Sequence, residues 1–139
     1  MSAQELVDKQ IQVFNQHDAD GWVSFYAENA VLYDPQYPEP LRGRQAIRKD
    51  IEAFFRAFPD IRFTSTDTIS SGDRVANHGV GSGTNSGPLE LPTGTIQGTN
   101  KRVEIPFASF ARLDGSGLIA EERRYYDLAG MLTQLGLMG

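Results

Sequence analysis

The chain has 139 residues and a net charge of −5, with a pI near 4.9, enough for one domain with a proper core and a single pocket. Its basic residues pair only at Arg42-Gly-Arg44, Lys101-Arg102 and Arg123-Arg124, so no clustered face for nucleic acid is expected; the lack of a run of about 20 apolar residues argues against a membrane span. With no cysteine and only two histidines, His17 and His78, far apart, neither a disulfide framework nor a metal site is expected, and an N-terminus without a basic start or apolar core predicts a cytoplasmic protein.

Residues 3–16 place Ala3, Leu6, Val7, Ile11, Val13 and Phe14 at helical spacing. Asp18 is a fitting N-cap for a second helix running through Trp22, Phe25 and Tyr26. The run 30–35 reads as a strand that ends at Pro35, a residue that cannot extend a sheet. The carboxylate of Asp34 therefore falls at a strand end, where a strand reaches the rim of a cavity. A turn-rich loop leads to Gly43 and a third helix over 44–58, carrying Ile47, Ile51, Phe54, Phe55 and Phe58 and stopped by Pro59. Four strand segments follow, 61–70, 74–85, 102–113 and 118–127, with turns at Gly72-Asp73 and 114–117. A glycine- and proline-rich loop over 86–100 and a short helix over 128–135 complete the pattern. Helices first and antiparallel strands later predict a single α+β domain over 1–139, its curved sheet wrapped around the helices.

Several polar residues stand where apolar ones are expected. Gln10 lies on the apolar stripe of the first helix, three after Val7 and four before Phe14. It is either a satisfied buried amide or a hydrogen-bond donor aimed into a pocket. Ser109 is the only hydroxyl on the face shared by Val103, Ile105, Phe107 and Ala111; a serine bonded to its own backbone is the alternative to a site residue. In the last strand Glu122, Arg124 and Tyr126 share one face, and Glu121, Arg123, Tyr125 and Asp127 share the other. A strand charged on both faces predicts a polar cavity on one side and solvent or a subunit interface on the other, with Glu122 and Arg124 paired if buried. Gly79, Gly81 and Gly83 strip one face of the strand over 74–85, as a bend or a close approach requires. No helix follows them and no lysine is placed for a phosphate loop.

Taken together, Phe25-Tyr-Ala-Glu-Asn-Ala-Val-Leu-Tyr-Asp34-Pro35, the helix opening Gly43-Arg-Gln-Ala-Ile47, Gly83-Thr-Asn-Ser-Gly87, Lys101-Arg-Val-Glu-Ile-Pro106, Glu121-Glu-Arg-Arg-Tyr-Tyr-Asp127 and Gln134-Leu-Gly136 resemble the ketosteroid isomerase and SnoaL-like polyketide cyclase group of the nuclear transport factor 2-like superfamily. The likeness spans nearly the whole chain. It implies a cone-shaped α+β barrel, three helices over a strongly curved sheet with one deep pocket, and homodimers through the outer sheet face. It also implies that Asp34 matches the steroid isomerase aspartate that shuttles a proton beside a ketone. That enzyme's oxyanion hole pairs a tyrosine with a protonated aspartic acid, and the corresponding positions here are Gln10 and Ser109, both able to donate a hydrogen bond. The acid that cyclases and limonene epoxide hydrolases carry on the last strand falls on Arg124. The arginine and aspartate that the epoxide hydrolases add fall on Gly79 and Gly81, and the cyclase-like histidine on Asn85.

Two functions of the pocket follow as expectations. One is proton transfer on a small, largely apolar ketone, with Asp34 as base and Gln10 and Ser109 holding the enolate. Tyr26, Tyr33, Phe54, Phe107, Glu122, Arg124 and Tyr126 then line the ligand site, Arg124 receiving a polar or anionic end, with no cofactor. The other is a binding protein that uses the same pocket without chemistry; an interaction domain working through Arg123, Tyr125 and Asp127 is a third.

Overall fold

The computed structural model describes residues 1–138. Its first helix, α1 (Ala3–Asn15), starts where the Ser2 side chain accepts from the Glu5 amide, and α2 (Ala19–Val23) starts where Asp18 caps Gly21. Strand β1 (Tyr26–Tyr33) and the two-residue β2 (Leu41–Arg42) precede α3 (Arg44–Ala57). The sheet continues through β3 (Arg62–Ser71) and β4 (Arg74–Thr84), then a small hairpin of β5 (Leu89–Leu91) and β6 (Gly94–Ile96). Long β7 (Arg102–Leu113), β8 (Ile119–Tyr126) and α4 (Leu128–Gln134), capped by Asp127, complete it. No helix among the described residues is long and apolar enough to cross a membrane.

The main sheet runs β2-β1-β8-β7-β4-β3. Its neighbours are antiparallel except β1 and β8, which are parallel. Two apolar clusters form the core. One joins Tyr26, Leu32, Ile47 and Ile119, and the other joins Phe58, Ile61, Val103, Ile105 and Leu135. The helices therefore cover one face of an α+β sheet, as the sequence pattern predicts.

Two local expectations are corrected. The second helix does not run through Phe25 and Tyr26; it stops at Val23, and Tyr26 already opens β1. The reason is tertiary: the Phe25 carbonyl accepts from the Ile119 amide at 2.9 Å and Tyr26 pairs with Ile119. An irregularity between Tyr26 and Val31 hides the alternation of a strand. The segment 86–100 is not merely a loop. Leu89 is buried, and Leu91 and Ile96 pack beside it. Asn85, fully buried, donates to the Ala57 and Gly87 carbonyls and accepts from Thr99, closing the base of the hairpin.

The glycine face of β4 meets β3. A Cβ at Gly79 would collide with the Thr64 carbonyl oxygen, and one at Gly83 would lie 3.1 Å from Asp60 and Ile61. Close approach by β3, which bulges between Ser65 and Asp67 beside Gly79, accounts for the first, and the segment leading into β3 accounts for the second. Gly81 instead borders the cavity described next.

Candidate functional site

Between the helices and the concave sheet face lies a cavity of about 170 Å³. Leu6, Val7, Ile11 and Phe14 line it from α1, Ile51 and Phe54 from α3, and Val103, Ile105 and Phe107 from β7. A dry engineered cavity of about 150 Å³ takes up benzene, so this space suits a ligand of one or two rings. Its wall is mostly carbon, interrupted by Gln10, Asn77 and Ser109 and by a polar cluster where β1, β8 and α3 meet.

Arg124 is the hub of that cluster. Its Nη1 donates to Asp34 Oδ2 at 3.1 Å and to Asp50 Oδ2 at 3.0 Å, and its Nε donates to Glu122 Oε2 at 2.9 Å. Each carboxylate also receives one tyrosine hydroxyl: Tyr126 to Asp34 at 2.7 Å, Tyr37 to Asp50 at 2.6 Å and Tyr26 to Glu122 at 2.7 Å. The Gln36 amide adds a third bond to Asp34, at 2.8 Å to Oδ1. The four charged side chains are 10% exposed or less, so these charges are held by hydrogen bonds and by one another. Burial and then the neighbouring carboxylate raise the pKa of all three phenols. Burial alone would lower the pKa of Arg124, but Glu122 and Asp50, with Tyr26 and Asp34, more than reverse this and keep it charged.

The backbone explains the convergence. Parallel pairing of Tyr33 with Arg123 sets the end of β1 beside the end of β8, bringing Asp34 to Arg124 and Tyr126. The register Asn77, Ser109, Arg124 across β4, β7 and β8 places these side chains in one row.

Asp34, Gln10, Ser109, Phe54, Phe107, Glu122, Arg124 and Tyr126 all border the one cavity. Two expected ligand contacts do not. Tyr33 turns to the outer side of the sheet, its ring 3.9 Å beneath the Arg123 guanidinium, in a groove formed with Pro35, Tyr37 and Tyr125. Tyr26 is completely buried behind the wall and reaches the site only through Glu122. Arg124 is tied to three acids through its Nη1 and Nε, which balance its charge, and its Nη2 is left without an acceptor among the described residues. Asp50 and Tyr37 belong to the cluster and were not anticipated. Asp50 carried a signal, lying three after Ile47 and four before Phe54 on the apolar stripe of α3; Tyr37, in an irregular loop, carried none.

His17 bonds the Ile61 carbonyl at 2.9 Å and stacks on Phe55, away from the cluster, while His78 is exposed. The Trp22 indole lines the cavity against Phe14 and Tyr26, its Nε1 buried without a partner among the described residues.

A helical layer over a strongly curved sheet, with one apolar cavity between, is the architecture of ketosteroid isomerase-like proteins. The family model described as SnoaL-like polyketide cyclase matches residues 4–135, and the chain belongs to that family. Among solved structures it is similar to IdmH of Streptomyces antibioticus, a candidate polyketide cyclase, at 26% identity over 98% of this chain and 99% of that one, with a TM-score of 0.77. A protein of ketosteroid isomerase-like fold from Catenulispora acidiphila, in complex with trimethylamine, superposes with a TM-score of 0.78 at 21% identity, covering 96% of this chain and 93% of its own. SalBIII, an epoxide hydrolase/cyclase-like enzyme of pyran ring formation in the polyether salinomycin, does so with a TM-score of 0.74 at 22% identity, covering 92% of each chain. Among curated proteins no relative matches the chain.

Proposed function

We propose that this protein binds a small, largely apolar ketone-type molecule in the cavity and transfers a proton at the carbon beside the carbonyl, with Asp34 as the base. One observation carries the proposal: a positioned carboxylate stands in the wall of a mostly apolar cavity. Three hydrogen bonds hold that carboxylate in place. A C–H flanked by two carbonyls is far more acidic than one beside a lone ketone, and is the better match for it. Asp34 takes that proton, and Gln10 and Ser109 hold the enolate oxygen. Where the ligand carries a carbon–carbon double bond conjugated with the enolate, Asp34 returns the proton to a different carbon of the dienolate, an isomerisation; otherwise the enolate carbon attacks a second carbonyl carbon. In the second case a C–C bond forms, and the Asp34 proton passes to the resulting alkoxide in a cyclisation.

The same hydrogen bonds favour a second reading. Both Asp34 oxygens are already occupied, as in a site that only binds. Deuterium uptake by a cyclic β-keto ester, followed by proton NMR, separates the two. Catalysis predicts exchange well above the buffer background and its loss, by at least about a hundredfold, in Asp34→Asn, with ester binding retained. Binding without exchange in the unaltered protein favours the non-catalytic reading.

For assembly, the outer sheet face offers a surface for a second copy. Ile69, Phe110 and Tyr125 are exposed there at 65%, 54% and 54%. Ile69, Ala76, Phe110 and Arg123 stand in one register row, and exposed apolar side chains gathered on one face favour association.

A further inference from the structure

The polar groups of the cavity divide into those already spent and those still free. Tyr126 donates its hydroxyl hydrogen to Asp34, and Arg124 is tied through Nη1 and Nε to three acids that balance its charge, with only Nη2 left without an acceptor among the described residues. Asn77 differs. It lines the cavity from β4, beside Ser109 and in line with Arg124. Its Oδ1 accepts from Ser65 Oγ at 2.6 Å and from Thr68 Oγ1 at 3.1 Å. Two hydroxyls on β3 thus fix the amide, and its Nδ2 donates to no protein group among the described residues. A primary amide clamped by its oxygen presents two N–H groups to whatever fills the space beside it. The Cβ atoms of residues opposite each other on paired strands stand about 5 Å apart, so the Asn77 amide and the Ser109 hydroxyl are near enough to reach one ligand oxygen.

We propose that Asn77 Nδ2 and Ser109 Oγ together bind the ligand's carbonyl oxygen, making Asn77 a specificity-determining residue that selects carbonyl compounds of one or two rings over their hydrocarbon counterparts. This rests on the cavity being a carbonyl-compound site, but not on Asp34 being a base. The selection is strong because a ligand without the oxygen leaves Nδ2 desolvated and unpaired. Ser65 and Thr68 act at one remove, holding the amide so that its nitrogen, not its oxygen, meets the ligand.

Indanone and indane share shape and differ in one oxygen, and each can be titrated into the full chain. The single tryptophan, Trp22, borders the cavity, so its one indole N–H resonance reports occupancy by either compound. Asn77→Ala should lower the indanone-to-indane affinity ratio by about tenfold relative to the unaltered protein. Asn77→Asp should lower it at least as far, because it keeps the acceptor for Ser65 and Thr68 and removes the donor. Ser65→Ala with Thr68→Val leaves the amide but frees it to turn, and should lower the ratio as well without touching the cavity wall. Indane affinity in each variant shows that the cavity survives, and the Asp and double variants decide the matter if the Ala variant loses it. An unchanged ratio in the variants overturns the role of Asn77 and leaves the cavity as a ligand site. Failure of both compounds to move the indole signal in the unaltered protein overturns this role together with the ketone-binding reading.

Discussion

Tyr26, Tyr37 and Tyr126 are buried to different depths, yet each keeps its proton above the ordinary phenol range, first because burial disfavours the phenolate and then because ionising it would set a second negative charge against a carboxylate. A raised pKa means the folded chain binds these protons more tightly than the unfolded chain. Their contribution to stability is therefore complete below about pH 10 and is lost as the pH climbs toward the folded values. In an alkaline titration, phenolate absorbance should fall short of the five tyrosines in the chain for as long as the far-ultraviolet circular dichroism stays native. The missing signal should appear together with unfolding. Ionisation of all five in a still-folded protein would contradict the hydrogen-bond pattern. At this scale the sequence was legible where a polar side chain interrupted an apolar stripe, as Gln10 does. The partners of Asp34 were harder to foresee, because which strand end lies beside which depends on pairing across some 90 residues.

Among the elements, β7 (Arg102–Leu113) was predicted to the residue, because alternation over a long strand with one buried face leaves little freedom. The start of β1 was missed because its pairing with β8 is interrupted, and β5 and β6 because three residues each are too short to show a period. Glycines on β4 were legible as a demand for space, though not as a demand made by β3. Gly79→Ala tests that demand. The added methyl meets the Thr64 carbonyl and the Ser65 Cα, both backbone, and should cost about 2–3 kcal/mol of stability in urea denaturation. Gly115→Ala, where nothing lies within 4 Å, should stay within about 0.5 kcal/mol of the unaltered protein. Equal stability of the two variants would show that β3 can retreat.

For the molecule as a whole, the two sheet faces divide the labour: the concave face encloses the cavity and the convex face carries Ile69, Phe110 and Tyr125. If two copies meet on the convex face, Phe110→Glu should convert a sedimenting dimer into a monomer. The substituted residue would place a carboxylate opposite its own symmetry mate, while cavity binding of a β-keto ester stays unchanged. A monomeric unaltered protein at tens of micromolar would sink the proposed assembly.

Because β1 and β8 run parallel, the polar cluster joins residues made early in translation to residues made late. When Asp34 leaves the ribosome, Glu122, Arg124 and Tyr126 do not yet exist, and β1 has no partner on the side where β8 will lie. A nascent chain ending before Ile119 would hold Asp34 and Asp50 with no guanidinium between them and only the two-residue β2 beside β1. Closure of the cluster is therefore a late event of synthesis, and long-range pairing of this kind sets a slow pace for folding. Until β8 docks, the edge of β1 stays open to pairing with any other extended segment, a hazard for chaperones to manage.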